Sequence, residues 1–100
     1  AYELQMWRSM LTRTTKSGYI GCCEAISRCD LTEQAKIINM PTLVIVGDED
    51  GSTPVNLVKD TANLIKGSTF RIIKKAGHLP CVEQPNLMGS MFLQFLESNN

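Results

Sequence analysis

The run Thr42-Leu43-Val44-Ile45-Val46 constrains this chain more than any other stretch. It is continuous in β-branched and apolar residues, which suits a parallel strand covered on both faces. A parallel partner needs a crossover connection, usually a helix. The residues that follow supply one. In STPVNLVKDTANLIKG, Thr53 is placed to cap a helix, Pro54 to open it and Gly67 to stop it. Leu57, Val58, Leu64 and Ile65 form its apolar face. TFRIIK, Thr69 to Lys74, then reads as the second strand. After Pro85, the spacing of Leu87, Met88, Phe92, Phe95 and Leu96 predicts a final amphipathic helix. Residues 40–100 are thus expected to form a βαβα unit with a right-handed crossover. The fold class is α/β, but two parallel strands do not make a stable sheet alone. The chain also lacks an initiator Met and opens in the middle of a helical pattern. It reads as part of something longer, incomplete as a fold.

Residues 1–39 have a different character, that of short helices. Leu4, Trp7, Met10 and Leu11 stand at helical spacing, and Lys16-Ser17-Gly18 is expected to break that helix. GYIGCCEAISRC puts Tyr19, Cys22, Cys23 and Ile26 on one face, although its two glycines weaken the helix. DLTEQAKII opens with Asp30 as a candidate N-cap and Glu33 three residues on.

Composition removes several function classes. One hundred residues make about one small domain. Ten basic and ten acidic residues balance to zero. Nucleic acid is not an expected partner, because phosphate binding needs a clustered basic excess. The longest apolar run, MPTLVIVG, is far short of the roughly 20 residues of a membrane span. The first ten residues carry no basic region followed by an apolar core, so no secretory signal is read there. Cys22, Cys23, Cys29 and Cys81 contain no C-x-x-C pair. No metal site is expected from them, and they read as small buried thiols in a reducing cytoplasm.

Chemistry is expected where both strands end. Ligands of open parallel sheets bind beyond the carboxyl ends of the strands. There the first strand runs into GDEDGSTP and the second into KKAGHLP, which holds His78, the only histidine. Parallel strands lay these loops side by side, so a carboxylate of the first can meet the imidazole of the second. Such a carboxylate accepts the Nδ1–H, fixes the tautomer and stabilises the imidazolium. The imidazole then serves as general base and acid. Asp48, Glu49 and Asp50 are all available. Asp50 is nearest the turn and precedes Gly51, which lets the chain swing round. The plain alternative is a solvated turn in which Asp48 or Asp50 caps loop backbone. No G-x-S-x-G nucleophile elbow occurs, and the serines at 17, 52, 68 and 90 have the wrong context. Cys81 follows His78 by three residues but has no evident helix N-terminus to lower its pKa.

These features resemble the C-terminal part of an α/β-hydrolase. MPTLVIVGDEDGSTP resembles the family's strand followed by G-x-x-D-x-x-T-P, here Gly47, Asp50, Thr53 and Pro54. AGHLPCVEQPNLMGSMFLQFL resembles its histidine loop and last helix, with Gly77-His78 and then Glu83-Gln84-Pro85. The first half, above all GYIGCCEAI followed by Asp30-Leu31, is similar to the cap segment of 3-oxoadipate enol-lactonases. The resemblance implies a helical lid over residues 1–39 and the βαβα part of the hydrolase core over residues 40–100. It implies Asp50 as triad acid and His78 as triad base, with Trp7, Met10 and Leu11 available to line an apolar pocket ceiling. It implies a cytoplasmic hydrolase of the β-ketoadipate pathway, opening 3-oxoadipate enol-lactone to 3-oxoadipate with neither metal nor cofactor. The triad serine and oxyanion hole have no counterpart here, so this chain alone is expected to be inactive. Two alternatives stand beside this: a carboxylesterase or other hydrolase of the same superfamily, and a non-catalytic chain that self-associates through strand 42–46.

Overall fold

The computed structural model describes every residue, Ala1–Asn100. They fall into two compact units, Ala1–Asp30 and Leu31–Asn100. The first unit holds two helices, α1 (Tyr2–Arg13) and α2 (Lys16–Arg28). The break between them lies at Thr14 and Thr15, not at Lys16-Ser17-Gly18. Thr15 is extended, and its Oγ1 accepts the Gly18 N–H at 3.1 Å. That hydroxyl satisfies one of the orphan donors of a helix start, so Lys16 to Gly18 become the first turn of α2. Neither helix buries a residue. The cysteines expected to be buried are exposed: Cys22 and Cys23 on α2, Cys29 at its end and Cys81 in the second unit. A pair of helices this short has no interior in which to hide them.

The second unit begins earlier than the compositional change near Asn39. It takes in α3 (Thr32–Lys36), which packs on α4 (Val55–Leu64). Leu31 stands at the N-cap position of α3, one residue past the expected Asp30. The rest follows as β1 (Leu43–Gly47), α4, β2 (Thr69–Ile73), α5 (Pro80–Glu83) and α6 (Pro85–Ser98). β1 and β2 are parallel, in register from Leu43 opposite Thr69 to Gly47 opposite Ile73. They form a two-stranded sheet, with α4 packed on both strands.

The core is small and is drawn from the carboxyl ends of the two strands and the end of α4. Val46, Ala62, Ile65, Ile73 and Ala76 are buried, and Ile73 is fully enclosed. Burial of a side chain of that size stabilises by about 2 kcal/mol. Of the expected apolar face of α4, Ile65 is buried while Leu57 remains half exposed. Gly67 takes φ +76°, the left-handed geometry that turns the chain from α4 into β2. At the other end of the sheet, Leu43, Thr69 and Arg71 share a face and line a cavity of about 120 Å³ with Met91, Gln94 and Phe95 of α6. No helix is long and apolar enough to cross a membrane.

Candidate active site

Asp50 lies just beyond β1, in a turn built by its own side chain. Its Oδ1 accepts the backbone N–H groups of Ser52 at 2.9 Å and Thr53 at 3.0 Å. Its Oδ2 accepts the Thr53 hydroxyl at 2.9 Å. Thr53 does not take the cap role expected for it. The N-cap position of α4 is occupied by Pro54, and Thr53 spends both its donors on Asp50. A helix that starts after proline has one orphan N–H fewer to satisfy.

His78 reaches this carboxylate from 28 residues away. Its Nδ1 stands 3.0 Å from Asp50 Oδ2 and 3.2 Å from Oδ1. An ionised carboxylate only accepts, so Nδ1 carries the proton and donates. The neutral ring then has its lone pair on Nε2, which no protein atom hydrogen-bonds. The Thr53 hydroxyl lies 3.5 Å from Nδ1, too long to compete. Exposure divides the pair. The Asp50 side chain is 5% exposed and that of His78 is 60% exposed. One partner is held in the protein while most of the other is open to solvent.

The surrounding donors act on Asp50 itself. The Thr53 N–H holds the carboxyl far below its ordinary value of 3.8. Burial opposes this, and the His78 ring, the Thr53 hydroxyl and the Ser52 N–H add to the lowering. Each of these donors favours the charged form. Asp50 therefore stays ionised throughout the range in which an imidazole titrates.

The other two acids have different surroundings. Asp48 Oδ1 accepts the Ala76 N–H at 3.3 Å, and the Glu49 backbone N–H donates to the Ala76 carbonyl at 2.9 Å. Both bonds tie the end of β1 to the histidine loop. Gly47 makes that approach possible. A Cβ on Gly47 would collide with the carbonyl oxygens of Ala76 and Gly77. Past β2 the chain needs a sharp turn, and Lys75 adopts it with φ 55°, at a cost of about 1–2 kcal/mol for a residue with a side chain.

The structure thus joins Asp50 and His78 in one site. Trp7, Met10 and Leu11 all lie on α1, in the first unit: Trp7 half-buried, Met10 and Leu11 exposed. Cys81 is on α5 and makes no hydrogen bond to His78. Sequence reasoning missed three parts of the site. They are the Thr53 hydroxyl on Asp50, the reach of Asp48 across to the histidine loop rather than to its own turn, and α5 with Glu83 and Gln84 at its end. Pro80, favourable at a first helical position, was the available signal for α5.

A parallel βαβ unit thus carries at its carboxyl edge a buried Asp hydrogen-bonded to an open His, a pairing able to act as an acid–base couple. The chain is 32% identical to 3-oxoadipate enol-lactonase 1 of Acinetobacter baylyi over 88 residues, 88% of this chain and 33% of that protein. It is 28% identical to a non-heme haloperoxidase of Rhodococcus erythropolis over 93 residues, 92% of this chain and 34% of that one. The crystal structure of the enol-lactonase from Burkholderia xenovorans superposes with a TM-score of 0.90 at 30% identity, over 96% of this chain and 36% of that one. No protein-family model matches. The chain belongs to the α/β-hydrolase superfamily and corresponds to the C-terminal part of its fold. It spans about a third of the length of the curated relatives it matches.

Proposed function

We propose that this chain supplies the acid and base of a serine-type hydrolase that opens 3-oxoadipate enol-lactone to 3-oxoadipate. The observation that carries the proposal is the 3.0 Å bond between His78 Nδ1 and Asp50 Oδ2, with Asp50 buried and His78 open. In that role Nε2 takes the proton of a serine hydroxyl as the serine oxygen bonds to the lactone carbonyl carbon. Asp50 stabilises the imidazolium so formed. The imidazolium returns the proton to the leaving enol oxygen as the ring ester bond breaks. Water then attacks the acyl-enzyme, again with Nε2 as base, and frees the acid. The serine is not among these 100 residues. Trp7, Met10 and Leu11 are proposed to line the apolar side of the pocket. The lactone is favoured because the enol-lactonases match both this sequence and this structure. The four unpaired thiols suit a cytoplasmic setting.

The purified chain is expected to show no turnover of the lactone or of an aryl ester. A hydrolase containing both this segment and a G-x-S-x-G elbow is expected to open the lactone, and to lose that activity in His78→Ala. Turnover by the chain alone within tenfold of the full enzyme would sink the proposal. A second reading, a carboxylic ester hydrolase with another substrate, draws on the esterases that the chain also resembles, a pimeloyl-[acyl-carrier protein] methyl ester esterase in sequence and a thermophilic esterase in structure. Preference of the full enzyme for simple esters over the lactone would select it. Self-association through strand 42–46 is a separate proposal, motivated by β1 having a partner on one side only. A monomeric mass at high concentration by light scattering would exclude it.

A further inference from the structure

Two side chains at the α5–α6 junction grip the backbone of the histidine loop, whereas Asp50 bonds only its imidazole. Glu83 Oε2 accepts the Gly77 N–H at 2.7 Å, a short, charge-assisted bond to the residue next to His78. Gln84 Nε2 donates to the Lys75 carbonyl at 3.2 Å. The grip encloses the stretch that holds the left-handed Lys75 and the fully buried Ala76. From the opposite side, Asp48 and Glu49 hold Ala76 by its N–H and its carbonyl. The peptide groups of residues 75–77 are therefore fixed from both β1 and the α5–α6 junction.

This matters because His78 is otherwise lightly held. Its ring is mostly exposed, and its one hydrogen-bonded partner is Asp50. Side-chain packing cannot set its reach, so the loop backbone must. Residues locked by such supporting bonds hold a site to within about 0.5 Å. We propose that Glu83, assisted by Gln84, is a positioning residue that sets the reach of His78 Nδ1 to Asp50 by fixing the Gly77 peptide. It takes no part in proton transfer. The inference rests on the hydrolase reading only for the task it gives to His78, since the geometry stands on its own.

The test uses the single histidine as a reporter in the chain itself. Its Nδ1–H and Nε2 are each unique signals in a ¹⁵N-labelled imidazole spectrum. In Glu83→Ala, the Nδ1–H is expected to exchange with water at least tenfold faster. Glu83→Gln keeps an acceptor in place and should stay within threefold of the parent chain. Glu83→Asp, one methylene shorter, should resemble Glu83→Ala. If Glu83→Ala loses the strand pair, judged by amide exchange at Val44 to Val46, the Asp and Gln variants decide alone. Equal Nδ1–H exchange in Glu83→Asp and Glu83→Gln would overturn the proposal. So would a Glu83→Ala that frees the Gly77 amide yet leaves the Nδ1–H rate unchanged. None of these readouts depends on catalysis, so a failed lactonase assay leaves this test intact.

Discussion

The Asp48 carboxylate accepts the Ala76 N–H at 3.3 Å, across 28 residues of sequence. This bond fastens the histidine loop to the end of β1, while Asp50, two residues on, takes the histidine itself. Two acids in one short turn thus have separate duties, one to loop backbone and one to the imidazole. The duties make distinct predictions.

Asp50→Asn should cripple any hydrolase assembled around this segment while leaving substrate binding nearly unchanged. An amide can donate to Nδ1, which would move the ring proton to Nε2 and remove the base. The expected loss in kcat is on the order of 10³- to 10⁴-fold, with little change in KM. Ester-hydrolysis kinetics measure it, and a loss below tenfold would remove Asp50 from the triad.

Acid should loosen the site through Asp50. Its folded pKa lies below the ordinary 3.8, so its stabilising contribution is fully present above that value. The contribution drains away as pH falls below 3.8 toward the lowered folded pKa. Asp50→Asn should therefore flatten the pH dependence of stability in that window and leave the slope near neutrality unchanged. Urea unfolding at a series of pH values from 2 to 7 checks the sign, and an unchanged acid slope would contradict it.

Gly47→Ala should separate β1 from the histidine loop. The atoms a Cβ would strike are backbone carbonyl oxygens, which cannot rotate aside as a side chain can. A cost of about 1–3 kcal/mol and loss of the His78 Nδ1–H signal are expected. Gly51→Ala is the control, since a Cβ there meets nothing within 4 Å. Thermal unfolding of the two variants should differ in that direction, and equal destabilisation would refute the account.

Ile73→Ala should be among the costliest single truncations. Ile73 is fully enclosed and sits opposite Gly47 at the end of the ladder. A loss of about 2–4 kcal/mol is expected from the cavity left behind. Ile72→Ala, next to it but 39% exposed, should cost markedly less. Denaturant midpoints compare the two directly.

The βαβα order and the loops that carry the site were legible because they rest on local signals. The run at 42–46, the left-handed turn at Gly67 and the apolar spacing after Pro85 each act within a few residues. Helix starts were less legible. Thr53 was expected to cap α4, but Pro54 holds the N-cap position, and the Thr53 N–H and hydroxyl both donate to Asp50 in the turn before it. The break before α2 moved because Thr15 caps that helix, its hydroxyl accepting the Gly18 N–H.

What the sequence determined by itself was the alternation of strand and helix, and with it the edge at which an acid and a histidine could meet. Which acid meets the histidine was a tertiary decision. It follows from the register that sets Gly47 opposite Ile73, from the bare Cα of Gly47 that lets the loops touch, and from the grip of Asp48 and Glu83 on the loop backbone. Those interactions join residues distant in the chain or bend it in a short turn, and neither periodicity nor spacing encodes where their hydrogen bonds will fall. His78 entered as a lone imidazole on a loop, and its partner was fixed by three-dimensional packing.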